Sequence, residues 1–301
     1  MPGLRALSAS GHALVGVVSQ PDRPRGRGRV LEETPVKRAA QEVGAPVLQP
    51  ERVGDAGALD WMRAREPELG VVVAFGQFIP KSVRELPRLG LINAHASLLP
   101  RWRGAAPIEW AIDAGDASTG VSVMRVVKEM DAGAVCLTRD TAIGPEETAG
   151  ELAERVSVLA GEALVEAVGA LAAGRARFVE QDPAGVTLAP KLDRAFAKLD
   201  FTQPAERLLR RIRAATPRPG VDVELARSAK RLRIVRARLG KPHGGGARPG
   251  RVTVDAGKLL LAAGDAWLEL VEIQLAGKRA MRADELLRGF RVPDAEEART
   301  P

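Results

Sequence analysis

The chain changes its apolar rhythm once. Up to about Gly174, short β-branched runs alternate with stretches of helical period, and beyond about Lys191 only short alternating segments follow a single helix. Ala13–Ser19, Gly70–Phe75, Leu91–His95 and Gly120–Val126 read as strands. The unbroken apolar run of Gly70–Phe75 predicts a strand buried on both faces. Val36–Val43, Pro107–Ala114 and Thr148–Ala173 read as helices, the last with a threonine cap. This alternation predicts an α/β fold, a doubly wound and mostly parallel sheet, over residues 1–175. Residues 176–191 have little periodicity and read as a linker. In 192–301 one helix, Pro204–Ala214, precedes Val221–Leu225, Leu232–Leu239, Val252–Val254, Leu259–Ala262 and Trp267–Gln274, a spacing that predicts a small OB-like β-barrel.

Charge follows the same division. Residues 1–190 carry 21 basic and 24 acidic side chains, whereas residues 191–301 carry 24 and 14. Between Arg207 and Arg251, fourteen basic residues stand against only Asp222 and Glu224. A solvated face is the ordinary meaning of a basic run. An imbalance this large, rich in arginine and confined to one end of the chain, points instead to a polyanion. Ten aromatic residues and no tyrosine leave little for base stacking, so a folded nucleic acid read through shape and backbone is expected. The single Cys136 excludes an internal disulfide, and the scattered His12, His95 and His243 form no metal-ligand pattern. No apolar run approaches the roughly 20 residues that span a bilayer, and Met1–Ser19 does not read as a secretory signal. The expectation is a cytoplasmic monomer with no metal and no membrane partner.

Chemistry concentrates in Gly90–Pro100. On a strand, Leu91, Asn93 and His95 point to one face, which sets an amide beside an imidazole at the carboxyl end of a buried strand, where ligands gather in open α/β sheets. Asparagine can donate to a developing oxyanion, and histidine can carry a proton near neutrality. The pair by itself equally fits a structural histidine.

The wider stretch Asn93-Ala-His-Ala-Ser-Leu-Leu-Pro-Arg-Trp-Arg-Gly-Ala-Ala-Pro-Ile108 resembles the signature of the folate-dependent formyltransferases, and most of all their methionyl-tRNA formyltransferase branch. Three further segments are similar to family motifs and follow the family's order: the basic loop Gln20–Arg29, Met130-Asp-Ala-Gly133, and Ala276–Met281. The resemblance implies a Rossmann-like formyltransferase domain and transfer of a formyl group from 10-formyltetrahydrofolate to the amine of methionyl-initiator tRNA. It implies Asn93, His95 and Asp131 as catalytic residues, Ser97, Leu98, Leu99 and Pro100 with Phe75 and Gly76 at the folate, and Arg23, Arg25, Arg27 and Arg29 at the tRNA. From the basic half, Arg207, Arg210, Arg211, Arg231 and Arg233 are expected at the tRNA. Two other readings share the motif: a formyltransferase for a sugar nucleotide or purine precursor, and a non-catalytic RNA-binding relative. Compared with the family, the chain opens inside the helix resembling Leu4–Gly11. The strand that precedes that helix in the family is central, so its neighbours are expected to lack a hydrogen-bond partner.

Overall fold

A computed structural model describes residues 1–25 and 30–301. It begins with α1 (Pro2–Ser8), β1 (Val17–Val18), the paired strands β2 (Arg23–Arg25) and β3 (Val30–Glu32), α2 (Pro35–Glu42) and β4 (Val47–Leu48). Then come α3 (Ala56–Arg63), β5 (Gly70–Val72), α4 (Lys81–Arg84), β6 (Leu91–His95), β7 (Arg103–Gly104) and α5 (Pro107–Ala114). They are followed by β8 (Ser118–Arg125), β9 (Val135–Ala142), α6 (Ala149–Ala172) and β10 (Leu188–Ala189). Local signals account for several boundaries. Thr34 caps α2 by accepting from Lys37 N, with Pro35 at the first helical position. Thr148 and Glu151 form a reciprocal capping box at the start of α6, where Glu151 accepts from Thr148 N at 2.9 Å.

The chain divides into two units. The first comprises Met1–Gly104, Thr119–Thr141 and Glu154–Ala189. Its strands β1 and β4 pair in parallel, and β5, β6, β8 and β9 make a separate sheet in which β5 and β6 are parallel while β8 runs antiparallel to β6. β6 and β8 are the buried strands: Leu91, Ile92, Ala94 and His95 of β6 are buried, as are residues 119–124 of β8. The reading of Gly70–Phe75 as a strand buried on both faces requires correction. Only Gly70–Val72 is strand, half-buried, and Val73 is 48% exposed. Among the described residues β5 is hydrogen-bonded on one side only, to β6, so an edge covers just part of its surface.

The second unit comprises Ala105–Ser118, Ala142–Ala153 and Pro190–Pro301. It holds α5 together with α7 (Ala205–Ala215), β11 (Val221–Leu225), β12 (Lys230–Pro242), β13 (Arg251–Asp255), β14 (Lys258–Ala262), β15 (Ala266–Leu275), β16 (Ala280–Arg282), α8 (Ala283–Gly289) and β17 (Glu296–Arg299). The strand order β12-β11-β17-β13-β14-β15 closes through a β12–β15 pairing into an antiparallel six-stranded barrel, with β16 appended to β15. Alternate residues of β12 and β15, including Leu232, Ile234, Leu268 and Leu270, fill its interior. Helix α7 buries Ala205, Leu208, Leu209, Ile212 and Ala215, the spacing of a single apolar stripe. Among the described residues no helix is long and apolar enough to cross a membrane.

Candidate active site

The site is built at the carboxyl end of β6, within the first unit. His95 is 6% exposed, and its two ring nitrogens meet different neighbours. Nε2 lies 2.8 Å from the carbonyl oxygen of Trp102, which can only accept, so Nε2 carries a hydrogen. Nδ1 lies 3.6 Å from Asp131 Oδ2, an ion-pairing distance longer than a hydrogen bond. Asp131 sits on the turn after β8 with φ at 51°, in the left-handed region. The motif glycine explains how that turn folds back: a Cβ at Gly133 would lie 2.0 Å from the Arg125 carbonyl oxygen, so no larger residue fits. Asn93, one strand period before His95, is half-buried, and no hydrogen bond among the described residues occupies its amide. The structure thus sets His95 and Asp131 against each other with Asn93 on the same face of β6.

A second layer holds the carboxylate. Gly104 N donates to Asp131 Oδ2 at 2.9 Å, a charge-assisted bond. Gly104 is also where β7 pairs with β10, and a Cβ there would meet the Ala189 carbonyl oxygen at 2.5 Å. Gln181 Nε2 donates to the carbonyls of Asp131 and Gly133, both at 2.8 Å. Its Oε1 accepts from Arg103 Nε at 3.0 Å and Nη2 at 2.7 Å. Thr187 holds the other side of the loop: its hydroxyl accepts from Trp102 N and its carbonyl from Arg103 N. Gln181 and Thr187 carry no local sequence signal, because both lie in the aperiodic stretch 176–191, where no pattern marks a partner.

The residues expected at the folate fall into two groups. Ser97 is fully buried, donates from Oγ to Arg101 O, and accepts at its carbonyl from Ser122 Oγ, which itself accepts from Leu99 N. Leu98, Leu99 and Pro100 are half-buried, with Leu98 over Gly120 and Pro100 against Gly185. Phe75 packs on the Val53, Val83 and Leu91 cluster, its carbonyl accepting from Gln20 Nε2 at 2.7 Å, and the exposed Gly76 has φ at 76°.

The arginines expected at the tRNA have varied surroundings. Arg23 is exposed and pairs with Glu51 at 2.6 Å. The side chain of Arg25 and the whole of Arg27 and Arg29 lie outside the described residues. Arg207 and Arg211 both fork onto Asp113, whose side chain is 3% exposed. Arg210 pairs with Glu206 one helical turn away. Arg231 and Arg233 share Asp222, with 57% and 38% of their side chains exposed. Asp222 responds to opposing effects: burial would raise its carboxyl, and bonds from Arg233 and Arg231 outweigh that and lower it. Among the described residues no group of three or more His, Cys, Asp or Glu side chains could hold a metal ion.

Known proteins are similar to this chain over nearly all of its length. The profile of the family described as "Formyl transferase" matches residues 3–168, and that of "Formyl transferase, C-terminal domain" matches residues 191–291. Methionyl-tRNA formyltransferase of Parvibaculum lavamentivorans is 43% identical over 297 residues, covering 98% of this chain and 95% of that protein. The protein of the same name from Chromohalobacter salexigens is 44% identical, covering 97% of this chain and 91% of its own length. Among solved structures, HypX from Aquifex aeolicus in complex with tetrahydrofolic acid superposes with a TM-score of 0.64 at 15% identity, covering 95% of this chain and 51% of that one. An N-formyltransferase from Helicobacter canadensis superposes with a TM-score of 0.63 at 13% identity, covering 89% and 94%. At such identities these two structures speak for the fold alone. With 43% identity carried across nearly its full length and both domain profiles matched in order, the chain belongs to the formyl transferase family, in its methionyl-tRNA formyltransferase branch.

Proposed function

We propose that this enzyme transfers the formyl group of 10-formyltetrahydrofolate to the amino group of methionyl-initiator tRNA, in the cytoplasm and as a monomer, for translation initiation. The observation that carries the reading is the 43% identity over 98% of the chain to a methionyl-tRNA formyltransferase. The arrangement of His95, Asp131 and Asn93 supports it. We assign catalysis to residues 1–175 and much of the tRNA contact to 192–301, joined through 176–191.

The folate supplies an activated formyl group. The half-buried amide of Asn93, on the same face of β6 as His95, fits it, because its N–H can donate to an arriving carbonyl oxygen. When the methionyl nitrogen bonds to the formyl carbon, charge collects on oxygen, and a donor aimed there lowers the barrier by about 3–4 kcal/mol. His95, held by the Trp102 carbonyl through Nε2, keeps Nδ1 towards Asp131, so an imidazolium formed in the site has a carboxylate to face. The pair thereby accommodates the proton leaving the amine until it is delivered to the folate nitrogen, as the carbon–nitrogen bond to the folate breaks. We assign Ser97–Pro100, Phe75 and Gly76 to the folate side. The Arg23–Arg29 segment, with the exposed Arg231 and the half-buried Arg233, is assigned to tRNA phosphates. Arg207 and Arg211, whose forks are committed to Asp113, are assigned to holding α7 against α5.

Incubating the protein with 10-formyltetrahydrofolate and charged initiator tRNA is expected to yield formyl-methionine. His95→Ala is expected to lower turnover by about 100- to 10,000-fold. Wild-type turnover in that variant would remove His95 from the chemistry, and formylation of an amino-sugar nucleotide in place of the tRNA would overturn the acceptor.

A further inference from the structure

We propose that Gln181 is a positioning residue for the Asp131–His95 pair, setting the catalytic carboxylate from 50 residues downstream; this rests on the formyl-transfer reading above. The amide is fully used. Its two N–H groups go to the Asp131 and Gly133 carbonyls, and its oxygen takes two hydrogens from Arg103. Those contacts close a ring. From Gln181 the path runs through Arg103 to the adjoining Gly104, whose N–H donates to Asp131 Oδ2, and returns through the Asp131 carbonyl to Gln181. One side chain therefore grips both the backbone that carries Asp131 and the loop that supplies the donor to its carboxylate.

The ring has a specific task. Asp131 adopts a left-handed backbone that costs a non-glycine residue energy and persists only where its surroundings impose it. Gly104, with φ at 128°, is likewise pinned, by the β7–β10 pairing. Released from Gln181, the Asp131 peptide is free to rotate, and its carboxylate leaves the 3.6 Å position opposite His95 Nδ1. Only a primary amide matches the local demand. A carboxylate at this position would present oxygen to two carbonyls, and an apolar side chain would leave two carbonyls and a guanidinium unanswered.

The test is a double-substitution cycle on the full-length enzyme, with kcat and both KM values measured for formylation of charged initiator tRNA. Gln181→Leu is expected to lower kcat by about 10- to 100-fold with both KM values changed by less than about 3-fold, the signature of a misplaced catalytic group. In an Asp131→Asn background the same substitution is expected to cost less than about 3-fold, because the group it positions is already gone. Gln181→Glu, which keeps size and the acceptor for Arg103, is expected to fall with Gln181→Leu, and it carries the cycle if thermal melting shows the leucine variant unfolded. Equal fold losses in both backgrounds, or a KM rise at constant kcat, would reduce Gln181 to a general structural role and overturn the proposal. So would wild-type kcat in both Gln181 variants while Asp131→Asn is impaired, and that outcome leaves the formyl-transfer reading standing. A wild-type protein that does not formylate the tRNA sinks both.

Discussion

His95 divides its ring between a main-chain carbonyl and a carboxylate, so its orientation is set by the fold before any substrate arrives. Asp22 shows the same economy in a structural setting. Its carboxyl is drawn down to about 2 by the Lys37 ammonium first, then by the Gln49 amide and the Thr34 N–H, with burial opposing them. A carboxyl lowered on folding stabilises the protein fully above its unfolded value and loses that contribution as the pH falls through its folded value. Asp22 is therefore expected to make stability decline between pH 3.8 and about 2. Thermal midpoints measured across that window should flatten in Asp22→Asn, and an unchanged profile would exclude this carboxylate as the source.

At the scale of elements, α7 is tied to α5 by charge as well as by its apolar stripe. Arg207 and Arg211 place four nitrogens within 3.0 Å of the Asp113 carboxylate, and Arg207 also donates to the Asp113 carbonyl. Asp113 lies in the last turn of α5, one residue before its end at Ala114, so the contact ties the C-terminal turn of that helix to α7. Asp113→Asn is expected to destabilise the protein by about 3 kcal/mol in urea unfolding, the lower end for breaking a buried pair, because the arginines retain access to water. Arg211→Met should cost less, since Arg207 still answers the carboxylate. The aperiodic stretch 176–191 belongs to this scale too: up to Ala189 it lies in the first unit, with Val179 bridged to Val135 and β10 paired to β7.

Across the whole molecule, the basic half is less bare than its composition implies. Arg207 and Arg211 are answered by Asp113, Arg236 by Glu151 and Arg238 by Glu146. Fewer phosphates are therefore neutralised than the excess of arginine suggests. Raising salt from 50 to 200 mM is expected to weaken tRNA affinity by about 10- to 100-fold, short of what 6–10 phosphate contacts would give, while the KM for the folate donor stays nearly constant. Salt-independent tRNA affinity would detach the basic half from RNA recognition.

Sequence alone determined much of this protein. The strand Leu91–His95 and the helix Pro107–Ala114 have the bounds their residues predict, since apolar period, proline and the C-terminal Gly115 act within a few positions. The motif Asn93–Ile108 pointed to the family. Tertiary structure alone decided the rest. Whether β5 is central or an edge depends on which strands find it, not on its valines. That Asp113, 94 and 98 residues from its arginines, would claim them, and that Gln181 would grip a turn 48 and 50 residues upstream, left no local trace. Hydrophobic period and capping are written in adjacent residues, whereas a buried polar group takes whichever partner the folded chain brings within 3 Å.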